Sequence, residues 1–231
     1  MAKGETGIIL ALDFDRLDQA ERMVEVTHEQ VDVYKIGPIL FTRFGPGIVE
    51  FAKNTGVKVF LDLKFHDIPN TVRGAVRAAT SLGVNMLTIH ASGGIDMMRG
   101  ALEGAEEGSK AFATERPLII GVTVLTSMAG QGDTLTQVLN LAGDAAKAGI
   151  DGVVCSPLEV GRVKEAHGDR LLAVVPGIRL GGDEADDQAR VGTPGQAVRD
   201  GADFLVVGRS VTGASAPEEA LARILKEVED A

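Results

Sequence analysis

Val57-Lys58-Val59-Phe60-Leu61-Asp62-Leu63-Lys64-Phe65-His66-Asp67-Ile68-Pro69-Asn70-Thr71 runs from an apolar segment straight into a dense group of charges. Its first five residues read as a buried strand. Residues two apart on a strand share a face. Asp62 and Lys64 are therefore expected to point the same way, with Asp67 just beyond the strand end. Three charges within six residues at the mouth of an apolar strand are costly to assemble unless they are paired or functional. A plain surface salt bridge is the competing reading.

Working outward, similar β-branched runs recur over residues 8–14, 31–36, 86–90, 118–125, 152–155, 171–175 and 204–207, which with 57–63 makes eight predicted strands. Amphipathic segments lie between them, among them 19–27, 71–82, 135–148 and 217–228. Alternation of strand and helix predicts parallel strands with crossover helices. Eight such units in 231 residues predict one closed (β/α)8 TIM barrel spanning residues 1–231 as a single domain. Helix starts fit that register. Ser156-Pro157-Leu158-Glu159 has capping-box spacing with Pro at the first helical position, and Thr193-Pro194-Gly195-Gln196 and Ser215-Ala216-Pro217-Glu218 have the same form. No sequence repeat, low-complexity tract or interdomain linker is evident. The acidic connection over 181–192 reads as a lid over the barrel mouth, or else as a plain surface excursion.

Composition narrows the function. Hydrophobic residues are 45% of the chain, which is globular rather than disordered. A formal net charge of −10 disfavours nucleic acid and anionic membranes as partners, while a few local cations still suffice to bind a small anion. No apolar run reaches membrane-spanning length and the start lacks a signal peptide's apolar centre, so a cytoplasmic location is expected. Cys155 is the single cysteine, which excludes an intrachain disulfide and a cysteine-based zinc site. It reads as a small buried residue.

In a parallel barrel the C-terminal strand ends face the active site. The polar residues expected there are Asp13, Lys35, Asp62 and Lys64, His90, Thr126 and Ser127, Ser156, Arg179 and Arg209, in strand order. Lys64 is the better proton-donor candidate because it shares a face with Asp62. His66 and His90 read as structural, and no histidine pair has metal-ligand spacing. Val206-Val207-Gly208-Arg209-Ser210 brings a glycine that lets main-chain N–H groups approach an anion and a forked cation beside it. Loops after the seventh and eighth strands are a common phosphate site in this architecture. Pro176-Gly177-Ile178-Arg179 gives the seventh strand a matching basic end. Pairing of each arginine with acids of the 181–192 connection is the alternative.

The stretch Asp62–Thr71 resembles the signature of the orotidine 5′-monophosphate decarboxylase family. Ala11-Leu12-Asp13, Tyr34-Lys35-Ile36-Gly37, His90-Ala91-Ser92-Gly93-Gly94, Val122-Thr123-Val124-Leu125-Thr126-Ser127-Met128, Pro176-Gly177-Ile178-Arg179 and Val207-Gly208-Arg209 follow the family's order along the whole chain. The resemblance implies decarboxylation of orotidine 5′-monophosphate to uridine 5′-monophosphate in pyrimidine biosynthesis, with no cofactor and no metal. It implies that Asp62 lies beside the departing carboxylate, that Lys64 protonates C6, and that Lys35 belongs to the same charge network. Asp13 and Lys35 would hold ribose hydroxyls, and Thr126 and Ser127 would face the pyrimidine. Arg179, Gln188, Gly208 and Arg209 would take the phosphate. Asp67, Ile68 and Thr71 would bind substrate, with Asp67, a member of the catalytic charge network, and Thr71 reaching the ribose in the neighbouring subunit's site of a homodimer.

Metal-dependent sugar-phosphate decarboxylases and aldolases of the same superfamily resemble this chain in an Asp-x-Lys-x-x-Asp run. They carry a glutamate metal ligand near the end of the second strand, where this chain has Lys35. A catalytically silent nucleotide-binding barrel is the other rival, and the intact Asp62, Lys64 and Asp67 argue against it.

Overall fold

The computed structural model describes residues 6–127, 133–180 and 190–231. Strand and helix alternate through β1 (Gly7–Ala11), α1 (Leu17–Thr27), β2 (Val33–Ile36), α2 (Pro38–Phe44), α3 (Pro46–Lys53), β3 (Lys58–Phe65), α4 (Pro69–Thr80), β4 (Met86–His90) and α5 (Ile95–Phe112). They continue with β5 (Leu118–Val122), α6 (Thr134–Ala148), β6 (Gly152–Val154), α7 (Val160–His167), β7 (Leu172–Val175), α8 (Pro194–Arg199), β8 (Phe204–Val207), α9 (Arg209–Thr212) and α10 (Pro217–Glu229). Each strand pairs in parallel with its neighbours in sequence, and β1 pairs with β8, so the sheet closes into an eight-stranded barrel. The TIM-barrel expectation holds.

Strand alternation sorts the core into two. Ile9, Val33, Phe60, Met86, Ile120 and Val174 fill the barrel interior as one buried cluster. Their neighbours of opposite parity, such as Ile8, Leu10, Tyr34, Leu61, Leu87 and Val153, belong to the larger cluster between sheet and helices. Two residues beyond Val33, Phe60 and Met86 on the same parity come Lys35, Asp62 and Thr88, three of the few buried polar side chains. The apolar interior thus gives way to a polar layer at the C-terminal end.

At the opposite end a fourfold pattern emerges that the sequence reading did not find. Asp32, Asn85, Asp151 and Asp203 each precede an even-numbered strand. Their side-chain oxygens accept the main-chain N–H of Ile8, Val59, Ile119 and Ala173 at 2.7–2.9 Å, the second residue of the preceding odd-numbered strand. Each of the four returns its own N–H to the carbonyl of that same residue. The repeat is one apolar residue followed by Asp or Asn.

Several predicted boundaries move. The first strand ends at Ala11 rather than 14, with the Asp13 side chain directed to Lys35. The second begins at Val33 rather than 31, because Asp32 caps Ile8. The third runs on to Phe65. The fifth ends at Val122 rather than 125, because the carbonyls of Val124 and Leu125 accept from Arg190 instead of from a strand neighbour. The sixth and seventh each lose one residue, at Cys155 and Leu171. Thr193 caps α8 through the Gln196 N–H at 3.3 Å as expected. Glu159 accepts the Ser156 main-chain N–H at 2.8 Å as a capping box requires, but the Ser156 hydroxyl accepts from Leu158 rather than Glu159; α7 starts only at Val160, and Glu159 also engages Arg190. Ser215 does not cap: Ala216 takes that position before Pro217 and no side chain bonds the end.

The helix that follows β3, α4, packs closely on α5. Gly100, Gly104 and Gly108 put the backbone of α5 against α4, where an added Cβ would lie 2.8 Å from the Pro69 carbonyl oxygen, would overlap that of Arg73 and would lie 2.7 Å from Thr80 Cβ. Asp67, Ile68 and Thr71 stay exposed at the α4 start.

Candidate active site

Four charges form an alternating row at the barrel mouth. Lys35 Nζ donates to Asp13 Oδ1 at 3.0 Å and lies 3.4 Å from Asp62 Oδ2. Lys64 Nζ donates to the same Asp62 oxygen at 2.8 Å. The other Asp62 oxygen accepts from the Thr88 hydroxyl at 2.9 Å. Lys35 comes from β2 and Asp62 from β3, both pointing inward, while Asp13 follows β1. Gly37 makes room for the first pair, since a Cβ there would fall 2.9 Å from Asp13 Oδ1 and 3.3 Å from Lys35 Nζ.

Asp62 and Lys64 meet, but not through regular alternation. β3 pairs with β4 at Leu61↔Leu87 and next at Phe65↔Ile89, so Asp62, Leu63 and Lys64 stand opposite Thr88 alone. Lys64 takes a left-handed backbone conformation with φ +52°, one of two described non-glycine residues with positive φ. Such a conformation costs roughly 1–3 kcal/mol and is retained where its surroundings enforce it. The bulge folds Lys64 back over Asp62.

The electrostatics match the geometry. Burial pushes the Asp62 carboxyl up, but the charges of Lys35 and Lys64 and the hydrogen bonds from Lys64 and Thr88 outweigh it and hold the group below the ordinary carboxylate range. Burial pushes Lys35 down, and Asp62 with Asp13 outweighs that and raises it. Because the folded value of Asp62 is depressed, its contribution to stability is present above the unfolded carboxylate range and is lost as pH falls through the folded value. Both charges therefore persist at neutral pH. His90 packs on His66 with ring centroids 5.3 Å apart; burial, then His66 and Lys64, push it below the usual histidine value. Cys155 is buried with its thiol pushed up to about 12, an inert group.

A second group of residues lies at the ends of β7 and β8. The Ser210 hydroxyl donates to the Ile178 carbonyl at 3.4 Å, tying the Arg209 turn to the Arg179 turn. Arg179 is buried and donates to the Ile178 carbonyl at 3.0 Å. Among the described residues, a Cβ added at Gly208 would meet only Ala11 Cβ, at 3.9 Å, so no described side chain crowds this glycine. Thr126 is half-buried and Ser127 exposed after β5. Gln188 and residues 181–189 of the expected lid lie outside the described residues.

The chain does not bring Asp67 to its own charge row. Asp67 is exposed, and its carboxylate accepts from the Ile68 N–H at 2.7 Å. Three residues close to the site were missed from sequence. Thr88 carried a usable signal, sharing parity with Met86 and His90 in the fourth strand. Arg190 and Glu159 carried none: they form a buried ion pair across distant segments, and Arg190 also donates to the Val124 and Leu125 carbonyls at 3.0 and 2.9 Å, bracing the start of the Thr126–Ser127 turn. Among the described residues no cluster of three or more His, Cys, Asp or Glu side chains is arranged to hold a metal, and no helix is long and apolar enough to cross a membrane.

A closed parallel barrel with an alternating lysine–carboxylate row at its C-terminal mouth is the frame of a barrel enzyme, and its relatives are carboxy-lyases. The chain belongs to the Orotidine 5′-phosphate decarboxylase / HUMPS family, whose model matches residues 6–224. It is 46% identical over 229 residues to an orotidine 5′-phosphate decarboxylase of Legionella pneumophila (strain Philadelphia 1), covering 96% of this chain and 98% of that protein. It is 46% identical over 236 residues to one of Pseudomonas paraeruginosa, covering 99% and 100%. The crystal structure of orotidine 5′-phosphate decarboxylase from Lactobacillus acidophilus superimposes with a TM-score of 0.83 at 36% identity, covering 97% of this chain and 99% of that one.

Proposed function

We propose that this chain, acting as a single catalytic domain, converts orotidine 5′-monophosphate to uridine 5′-monophosphate and carbon dioxide in pyrimidine biosynthesis, without metal or organic cofactor. The observation that carries the reading is the row Asp13–Lys35–Asp62–Lys64, with Asp62 buried between two ammonium groups. Loss of carbon dioxide from C6 leaves an electron pair in an sp² orbital that the ring's π system cannot delocalise. The site must therefore stabilise a localised carbanion by fixed charge. Asp62 disfavours the neighbouring substrate carboxylate more than the carbanion. The Lys64 ammonium stabilises the carbanion and then gives a proton to C6, and the neutral amine left behind is reprotonated from solvent. Asp13 and Lys35 hold ribose hydroxyls, Thr126 and Ser127 face the pyrimidine, and Arg179, Gln188, Gly208 and Arg209 bind the phosphate.

The relatives' names support this substrate, and so does Lys35. Its ammonium lies within 3.4 Å of both Asp13 and Asp62, where a dication shared by those carboxylates would be repelled. A spectrophotometric assay with orotidine 5′-monophosphate tests the reading. Turnover is expected to be unchanged by EDTA. Activity lost to EDTA and restored by magnesium points instead to a sugar-phosphate enzyme, and tight nucleotide binding without turnover to a silent barrel.

The working form is a cytoplasmic homodimer in which Asp67 and Thr71 of each subunit complete the partner's site, with Ile68 beside them binding substrate. Their exposure at the α4 start, away from the chain's own Lys64, supports this. Inactive Lys64→Ala and Asp67→Ala subunits, mixed and allowed to exchange, then form heterodimers with one site holding both native groups and one holding neither. Random exchange should restore about a quarter of wild-type activity. No recovery after verified exchange would rule out the shared site.

A further inference from the structure

We infer that Thr88 is a positioning residue for the reaction, its one hydroxyl fixing both the carboxylate of Asp62 and the displaced backbone of Lys64. The inference rests on the reading that Asp62 and Lys64 carry the chemistry. Thr88 is fully buried in β4. Its Oγ1 donates to Asp62 Oδ1 at 2.9 Å and accepts the Lys64 main-chain N–H at 2.9 Å. The direction of both bonds is fixed by chemistry: an amide can only donate, so the hydroxyl proton goes to the carboxylate.

The need for this hydroxyl follows from the bulge. Three residues of β3 face Thr88 alone, so Lys64 has left the regular ladder. Its N–H is met by the Thr88 side chain in place of a strand carbonyl. The same contact supports the left-handed φ of +52° that turns Lys64 over Asp62. Asp62 Oδ2 is engaged by Lys64 at 2.8 Å and Lys35 at 3.4 Å, which leaves Oδ1 and the carboxylate plane to Thr88. Without the hydroxyl, Asp62 can rotate about its last bond and the Lys64 backbone loses its acceptor. Small misplacements of reacting groups reach roughly a hundredfold in rate.

The test compares Thr88→Val, which keeps shape and loses the hydroxyl, with Thr88→Ser, which keeps the hydroxyl. Each is measured for kcat, KM, uridine 5′-monophosphate affinity and thermal midpoint, with Lys64→Ala run alongside. Thr88→Val should lose roughly 10- to 100-fold in kcat while product affinity stays within about threefold, and Thr88→Ser should stay within about threefold in both. If Thr88→Val does not fold, Thr88→Ala against Thr88→Ser, differing in the hydroxyl but not in the branch methyl, makes the same comparison. A hydroxyl-free variant turning over like wild type, or losing rate only in proportion to its unfolded fraction, overturns the inference, as does Thr88→Ser falling with it. Collapse of Lys64→Ala beside an unaffected Thr88→Val defeats Thr88 alone. Retention of rate by Lys64→Ala defeats the underlying reading, and the role of Thr88 with it.

Discussion

Lys64→Ala is expected to lower kcat roughly 10⁴-fold or more while uridine 5′-monophosphate still binds. Two effects are lost at once. Proton transfer from a positioned group contributes about 10²–10⁴-fold, and a fixed charge aimed at the developing anion contributes about 10²–10³-fold. Lys64 is the ammonium closest to Asp62, at 2.8 Å against 3.4 Å for Lys35. Lys35 is also engaged by Asp13, so it is poorly placed to take over the proton transfer. Product affinity should be largely retained, because the ribose and phosphate contacts are assigned to other residues. A kcat near that of wild type would remove Lys64 from the mechanism.

Arg209→Ala should lower kcat/KM for orotidine 5′-monophosphate by roughly a hundredfold or more, although the group follows β8 and is not a member of the charge row. Losing a charge-assisted contact to a bound anion costs a few kcal/mol, and each ~1.4 kcal/mol is tenfold in rate. Binding energy from the remote phosphate is used to organise the reacting end. The nucleoside that lacks the phosphate should therefore lose much less, since its reaction never used that contact. Measuring both substrates with both proteins separates phosphate recognition from misfolding. Equal fractional losses would show that Arg209 acts on the structure as a whole.

Much of this was readable from sequence because its signals were local or periodic. Eight β-branched runs alternating with amphipathic segments left few architectures besides a parallel barrel, and the barrel then gathered Asp13, Lys35, Asp62 and Lys64 from three separate strand ends. Pairing of Asp62 with Lys64 followed from spacing, yet for a reason only partly correct: the bulge opposite Thr88, not uniform alternation, brings Lys64 over the carboxylate. A bulge leaves no mark in an apolar run. Thr88 itself escaped notice because threonine suits any strand by propensity alone. The Asp/Asn repeat before the even strands is one polar residue long and becomes visible only once register is known. Arg190 and Glu159 were illegible because their partners lie far away in the chain. The glycines of α5 bring that helix onto α4, an approach that becomes visible only once the two helices are paired.

The central claim, charge-driven decarboxylation followed by protonation at C6, is tested most directly by one NMR time course. Orotidine 5′-monophosphate is turned over by the wild-type protein in D₂O containing EDTA, and the product is read at C6. The Lys64 ammonium exchanges its protons with solvent, so the product should be uridine 5′-monophosphate carrying one deuterium at C6, formed as the substrate disappears. Substrate that persists, or a product with hydrogen rather than deuterium at C6, would contradict the account.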